Sequence, residues 1–227
     1  MTDVRASLLS DRRRLLQAAF AWGPATCLTG LPLSAQAALS EIDAAAGVRT
    51  ALERGAASAV ALLGKSDGFL GNPKVRIPLP GVLESAAKLL KATGQQKRVD
   101  ELVTAMNRAA EAAVPEAKAL LVSAVKAMSV DDAVRVVQGG EDSVTQFFAG
   151  KTRTPLTEKF LPIVTRQTEK VALASKYNAL AGRAMGMGLV KAEDANLQQY
   201  VTAKALDGLY LMIGEEERKI RQDPVST

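Results

Sequence analysis

The chain of 227 residues contains no histidine, one cysteine and one tryptophan. Imidazole and thiolate are the usual protein ligands of zinc, copper, haem iron and iron–sulfur clusters, so the sequence excludes the common forms of these sites. It also excludes Ser-His-Asp and Cys-His nucleophile pairs. Only a hard-ion site built from oxygen ligands stays open, and none of the acidic pairs has calcium-loop spacing. We therefore expect no catalytic residues, no metal site and no cofactor.

Aromatic residues are also scarce, at 4% of the chain. The chemistry that the missing histidine and cysteine leave open would use paired carboxylates, a lysine or a Ser-Lys arrangement. A glycosidase with paired carboxylates would normally also need aromatic rings that stack on sugars. A carboxylate-dependent hydrolase is thus an alternative function rather than the expected one.

The first 37 residues have the pattern of an export leader. Arg12, Arg13 and Arg14 precede a modestly apolar stretch, and the small residues of Ala35-Gln36-Ala37 suit a signal peptidase. We predict a twin-arginine-like signal peptide, residues 1–37, cleaved after Ala37, and hence a periplasmic protein. Two alternatives are an amphipathic first helix that stays attached and a lipid anchor on Cys27. Glycines and prolines interrupt the apolar stretch, so no transmembrane span is expected after processing.

Removal of the predicted leader changes what the charge implies. The leader has four basic and two acidic residues, so its loss lowers the formal net charge from +5 to +3. The high isoelectric point therefore belongs largely to the leader, and we expect no nucleic-acid partner. Trp22 and Cys27 lie in the leader too. The mature chain then has no cysteine, histidine or tryptophan.

Apolar residues recur at helical spacing through most of the mature chain. The pattern predicts an all-α, single-domain bundle of about seven helices over residues 38–224, followed by a frayed tail at 225–227. Ser40 is the predicted cap of the first mature helix, and Ser129 with Asp132 three residues later predicts another helix start.

Two prolines divide the predicted helices in the second half of the chain. A short helix is expected at residues 143–149, and a separate one, capped by Thr154, is expected to start at Pro155. Pro162 is expected to kink that second helix.

One long segment is not helical: residues 65–80, here called the strap. Its glycines and prolines prevent a helix, and Val75, Ile77 and Leu79 alternate with Lys74, Arg76 and Pro78 as in an extended segment. We expect the strap to lie across the bundle with its apolar side inward, which presents Asn72, Lys74 and Arg76 on rigid backbone. The alternative is that the strap only covers the core.

Two polar residues beside a helical apolar stripe also have two interpretations. Asn107 and Arg108 either satisfy the carbonyls of a loop or belong to a site, and we favour the first.

Residues 200–221 include an apolar run, Leu209 to Ile213, which predicts a central helix buried on all sides. Asp207 follows Leu206 on this helix, so we expect a buried carboxylate that needs a cation. The candidate site is the crossing of the strap and this helix, with its cations offered to an anionic group. The candidate ligand-binding residues are Asn72, Lys74, Arg76, Tyr177, Asn178, Tyr200, Lys204 and Asp207.

Five segments together resemble a family of exported bacterial proteins catalogued as a domain of unknown function, DUF4197. They are GFLGNPKVRIPLP at 68–80, MNRAAEAAVPEAK at 106–118, EKFLPIV at 158–164, KYN at 176–178 and YVTAKALDGLYLMIGEEERKIRQDP at 200–224. The resemblance spans essentially the whole mature chain. It implies a helical domain in the cell envelope, and it implies no activity and no catalytic residues.

We therefore expect a non-enzymatic binding or scaffold protein of the envelope, whose partner is an envelope protein or a small anionic or lipid-like ligand. One alternative is a carrier that encloses a lipid-like molecule between alanine-lined helices and the Met185–Met187 segment. The sequence does not define the oligomeric state.

Overall fold

The computed structural model describes residues 33–140, 143–186, 188 and 195–222. The chain divides into two compact units, Met1–Ala38 and Leu39–Thr227. The described residues form eight α-helices and a 3-10 turn, Val114–Glu116. The helices are α1 (Leu33–Leu63), α2 (Gly81–Ala92), α3 (Gln96–Ala113), α4 (Ala117–Lys126), α5 (Val130–Gln138), α6 (Ser143–Thr168), α7 (Ala172–Gly186) and α8 (Leu197–Gln222).

The all-α prediction is confirmed, and no strand occurs in the described part of the chain. α1 begins at Leu33, so Ser40 lies inside it and is not its cap. The predicted start at Ser129 is correct, because Ser129 and Asp132 form the two reciprocal hydrogen bonds of a capping box at α5. Residues 1–32 of the predicted leader, with Cys27, lie outside the described residues, as do Met187 and the predicted tail.

α6 is one continuous helix, and the predicted break at Thr154 is wrong. Every fourth residue of α6 is buried: Val144, Phe148, Thr152, Leu156, Phe160, Val164 and Thr168. Four residues advance about 400° around a helix, so this buried stripe rotates by roughly 40° at each step. The rotation lets α6 pack against α3, α4, α5 and α8. Pro155 and Pro162 lie off the stripe, and packing along it continues past both.

α8 is the second helix of the core, and it packs against α3, α6 and α7. Leu209, Tyr210, Met212 and Ile213 are buried, whereas Leu211 is 38% exposed. The predicted central helix is therefore correct for four of the five residues in the apolar run. The core is organised around α6 and α8 together rather than around α8 alone.

The strap is non-helical, as predicted, but much of it is not extended. Residues 66–71 and 73–75 form turns, and only residues 76–80 run without a turn. The predicted alternation of buried and exposed side chains is confirmed over residues 74–77. Val75 and Ile77 are buried, while Lys74 and Arg76 are exposed.

Gly208 of α8 allows the strap to approach this helix closely. A Cβ at Gly208 would lie 2.9 Å from Cε1 of Phe69 and 3.2 Å from Cβ of Val75. Both of these strap residues are buried in the core. The strap could therefore not keep its position if residue 208 had a side chain.

Substitution Gly208→Ala is expected to lower the free energy of unfolding by about 1–3 kcal/mol, because the added methyl group overpacks the contact with Phe69 and Val75. Gly47→Ala in α1 is the matched control, since a Cβ there has nothing within 4 Å. That control should raise stability by about 0.5–1 kcal/mol through helix propensity. Urea unfolding of both variants distinguishes the two effects, and equal stabilisation of both would contradict the close approach.

Candidate functional site

The strap is attached to α3 by the buried side chain of Asn107. The Oδ1 atom of Asn107 accepts a hydrogen bond from the backbone N–H of Ile77 at 2.8 Å, and its Nδ2 donates to the carbonyl of Ile77 at 3.0 Å. Nδ2 also donates to the carbonyl of Val103 within α3, at 2.8 Å. One side chain thus pairs with both backbone groups of Ile77, much as a neighbouring β-strand would. The interpretation that Asn107 satisfies a loop is confirmed.

Glu111, one turn further along α3, binds the first half of the strap. Its Oε1 accepts hydrogen bonds from the backbone N–H groups of Phe69 and Leu70, at 3.0 and 3.1 Å. Its Oε2 accepts from Nη1 of Arg108 at 2.6 Å. Glu111 is buried, so these three donors replace the water that an ionised carboxylate requires. Both oxygens are occupied, which leaves this carboxylate unsuited to general acid–base catalysis.

Arg108 extends the attachment to the first turn of the strap. Besides Glu111, its guanidinium donates to the Ser66 hydroxyl and to Oδ1 of Asp67, both at 2.8 Å. Asp67 has a positive φ of 65°, a conformation that aspartate tolerates better than most residues. The hydrogen bond to Glu111 raises the pKa of Arg108, so the guanidinium stays charged.

α8 holds the other side of the strap. The Tyr200 hydroxyl donates to the carbonyl of Pro78 at 3.2 Å, and Nδ2 of Asn72 lies 4.0 Å from the sulfur of Met212. Lys74 forms an ion pair with Glu215 at 2.8 Å. Asn72 also accepts a hydrogen bond from the backbone N–H of Lys74 at 3.1 Å, which fixes the turn between them. The strap is therefore bound along its length by α3 and α8.

The structure brings five of the predicted site residues together at the strap and α8. Asn72, Lys74 and Arg76 belong to the strap, while Tyr200 and Lys204 belong to α8. Nζ of Lys204 lies 5.9 Å from the centroid of the Tyr200 ring. Lys204 is one turn from both Tyr200 and Gly208, which contact the strap, so it lies on the same face of α8 as these two residues.

Asp207 is not part of this group, and its predicted burial is wrong. Its side chain is 51% exposed, and Oδ1 pairs with Nη2 of Arg153 in α6 at 2.8 Å. One residue turns a helix by about 100°, so burial of Leu206 does not require burial of the next residue.

The Asp207–Arg153 ion pair covers a buried tyrosine. The guanidinium carbon of Arg153 lies 5.2 Å from the centroid of the Tyr210 ring. The Tyr210 hydroxyl shares a hydrogen bond of 2.9 Å with Thr152. Burial raises the pKa of Tyr210, so its hydroxyl stays neutral at physiological pH.

Asn178 of α7 has contacts at the start of α8. Tyr177 is buried in the core. Oδ1 of Asn178 accepts from the backbone N–H of Leu197, and Nδ2 donates to Gln198, each at 2.8 Å. Gln198 in turn donates to the Thr168 hydroxyl of α6 at 3.3 Å. These contacts give Asn178 a role in joining α6, α7 and α8.

The role of Glu111 was missed from the sequence, although a pattern for it exists. Asn107, Arg108 and Glu111 occur within two turns of α3, and residues at spacings of three and four share a helix face. Three hydrogen-bonding side chains beside a buried stripe, with a non-helical segment elsewhere in the chain, indicate a helix that supports that segment.

A family model described as a protein of unknown function, DUF4197, matches residues 38–227. The chain belongs to this family. The DUF4197 match includes the whole strap, the three supporting residues of α3 and all of α8. No curated protein and no solved structure matches the chain.

Among the described residues of this DUF4197 member, no helix is long and apolar enough to cross a membrane. Within the same residues, no group of three or more acidic or cysteine side chains could hold a metal ion.

Proposed function

We propose that this DUF4197 member is a non-enzymatic binding protein of the periplasm that binds an anionic group, a phosphate or a carboxylate, at the edge between the strap and α8. The observation on which this proposal depends is that the strap is fixed from both sides, so its outward cations stand on rigid backbone. A preorganised surface loses less conformational entropy when it binds.

Arg76 and Lys204 are the cations that we assign to the binding edge. Both are exposed, and neither forms an ion pair with another described residue. Lys74 differs from them, since Glu215 partly neutralises it. An anion between Arg76 and Lys204 would accept charge-assisted hydrogen bonds that no described carboxylate accepts from them.

The periplasmic location is supported by the leader pattern at residues 1–37. The family match begins at residue 38, the residue that follows the predicted cleavage site. Export to the envelope would bring the binding edge into contact with anionic lipid headgroups and with free anions alike.

The other two functions that the sequence left open receive less support. A hydrolase would need a carboxylate free to transfer a proton, whereas both oxygens of Glu111, the buried carboxylate beneath the strap, accept hydrogen bonds. A carrier of a lipid-like ligand would need Met185 to line an enclosed cavity, whereas its side chain is 43% exposed.

The proposal predicts that the double variant Arg76→Gln/Lys204→Gln binds inorganic pyrophosphate at least about tenfold more weakly than the unsubstituted protein. Two charge-assisted hydrogen bonds are removed, each contributing about 1.5–3 kcal/mol. Isothermal titration calorimetry at low ionic strength measures the dissociation constants directly. Citrate tests whether a carboxylate is preferred to a phosphate.

A matched control makes the same change of charge elsewhere. Arg166 of α6 and Lys118 of α4 are exposed, and Arg166→Gln/Lys118→Gln removes one arginine and one lysine. This control should bind pyrophosphate like the unsubstituted protein. Equal weakening in both double variants would mean that only net charge matters, and the proposed edge would then be wrong.

A further inference from the structure

A concave region lies between α5 and the first half of α6. It is an open cleft of about 750 Å³, within the range of small-molecule sites. The residues that line it are Asp132, Arg135, Val136, Gly139, Gly140, Ser143, Gln146, Phe147, Gly150 and Lys151.

The described lining residues place one cation on each wall. Arg135 extends from α5 and Lys151 from α6, and both side chains are exposed. The only carboxylate among these lining residues is Asp132, which pairs with Nη2 of Arg135 at 2.6 Å. A guanidinium has five N–H donors, so this contact leaves Arg135 with donors for a second anion.

Asp132 belongs to the capping box at the start of α5, in which Ser129 is the cap. Its carboxylate accepts a hydrogen bond from the backbone N–H of Ser129. The pKa of Asp132 is lowered first by hydrogen bonds from Ser129 and then by Arg135 and Lys151.

The wall that α6 contributes also has an aromatic ring and exposed backbone. Phe147 is partly buried and lines the cleft, as does the exposed amide side chain of Gln146. Along α6, Gly150 follows these two residues and precedes Lys151. A Cβ added to Gly150 would have no other atom within 4 Å. Glycine in a helix interior costs about 0.5–1 kcal/mol relative to alanine, and no internal contact at Gly150 requires it. The space beside Gly150 can thus accommodate a group that enters the cleft.

We propose that the α5–α6 cleft is a binding site for a small organic anion with an apolar body. The anionic group lies between Arg135 and Lys151, and the apolar body packs on Phe147 and against the backbone at Gly150. This site is independent of the strap edge, because it uses different residues on different helices.

The test uses the purified full chain and the aromatic sulfonate anilinonaphthalenesulfonate, whose fluorescence rises in apolar surroundings. The protein is expected to bind this probe saturably, and Arg135→Gln/Lys151→Gln should weaken binding by at least about tenfold. The Arg166→Gln/Lys118→Gln protein is again the control for net charge and should bind normally. Absence of saturable binding, or equal weakening in both double variants, would overturn the proposal.

A second variant tests the apolar part without removing a charge. Gly150→Leu fills the cleft and should abolish probe binding, while the protein stays folded because leucine is the better helix former. Gly47→Leu makes the same change at an exposed position of α1 and should leave binding intact. Normal binding by Gly150→Leu would place the probe elsewhere and refute this site.

Competition defines the ligand class. Benzoate and benzamide have nearly the same shape and differ in charge, so benzoate should displace the probe at a concentration at least about tenfold lower. Equal displacement by both compounds would contradict an anion site.

Discussion

Replacement of Asn107 by leucine is expected to lower the free energy of unfolding by about 3 kcal/mol, although leucine has a similar size and a higher helix propensity. Asn107 is fully buried and is the partner of both backbone groups of Ile77. Without the amide, the N–H and the C=O of Ile77 would lie in the core with no partner, and each unsatisfied group costs about 1–3 kcal/mol. The loss is therefore far larger than the change in apolar area suggests.

Urea unfolding followed by circular dichroism measures this effect, and Gln138→Leu at the exposed end of α5 is the control. The control should change stability by no more than about 0.5 kcal/mol. Asn107→Asp gives a second comparison. It keeps an acceptor for the N–H of Ile77, but it places a carboxylate against two carbonyl oxygens, so it too should be destabilising. A stable Asn107→Leu protein would mean that water or another group can replace the amide.

Replacement of Glu111 by alanine should lower the free energy of unfolding by about 2–4 kcal/mol, because the backbone N–H groups of Phe69 and Leu70 lose their acceptor. The ion pair with Arg108 is lost as well, but Arg108 is 38% exposed, so its contribution is reduced by solvent screening. Glu111→Gln separates the two effects. Its amide oxygen can still accept from the strap, and we expect a loss of only about 1 kcal/mol.

Hydrogen exchange at the amides of Phe69 and Leu70 provides the local measurement for Glu111. Exchange should become faster in Glu111→Ala at both amides, and much less so in Glu111→Gln. Glu101→Ala, at an exposed position of the same helix, controls for the removal of one negative charge from α3. If Glu111→Ala leaves exchange at Phe69 and Leu70 unchanged, the carboxylate does not hold the strap.

The all-α class and the strap could be predicted from the sequence because they depend on local patterns. Alternation at Val75 and Ile77 correctly indicated which side of the strap faces the core. The apolar run in α8 correctly indicated a central helix. In each case the side chain's own hydrophobicity decides its position.

The errors concern features that depend on the neighbours of a residue. Pro155 favours a helix start in isolation, but the buried stripe of α6 continues past it. Asp207 follows a buried leucine, yet its exposure depends on which side of α8 meets Arg153. Lys74 and Arg76 are exposed on the strap and Lys204 is exposed on α8, but their role in binding a ligand stays a prediction. The spacing of Asn107, Arg108 and Glu111 indicates a supporting helix, but the sequence does not show which backbone groups of the strap Glu111 binds.

The attachment of the strap to both α3 and α8 has a consequence for the order of folding. Ile77 and Asn107 are 30 residues apart, whereas Pro78 and Tyr200 are 122 apart. Loop-closure entropy rises by about 0.6 kcal/mol for each doubling of loop length, so the longer loop costs about 1.2 kcal/mol more to close, and we expect the contact with α8 to form after the contact with α3. During synthesis, α3 emerges before α8, so the strap can acquire its second support only after α8 has been synthesised.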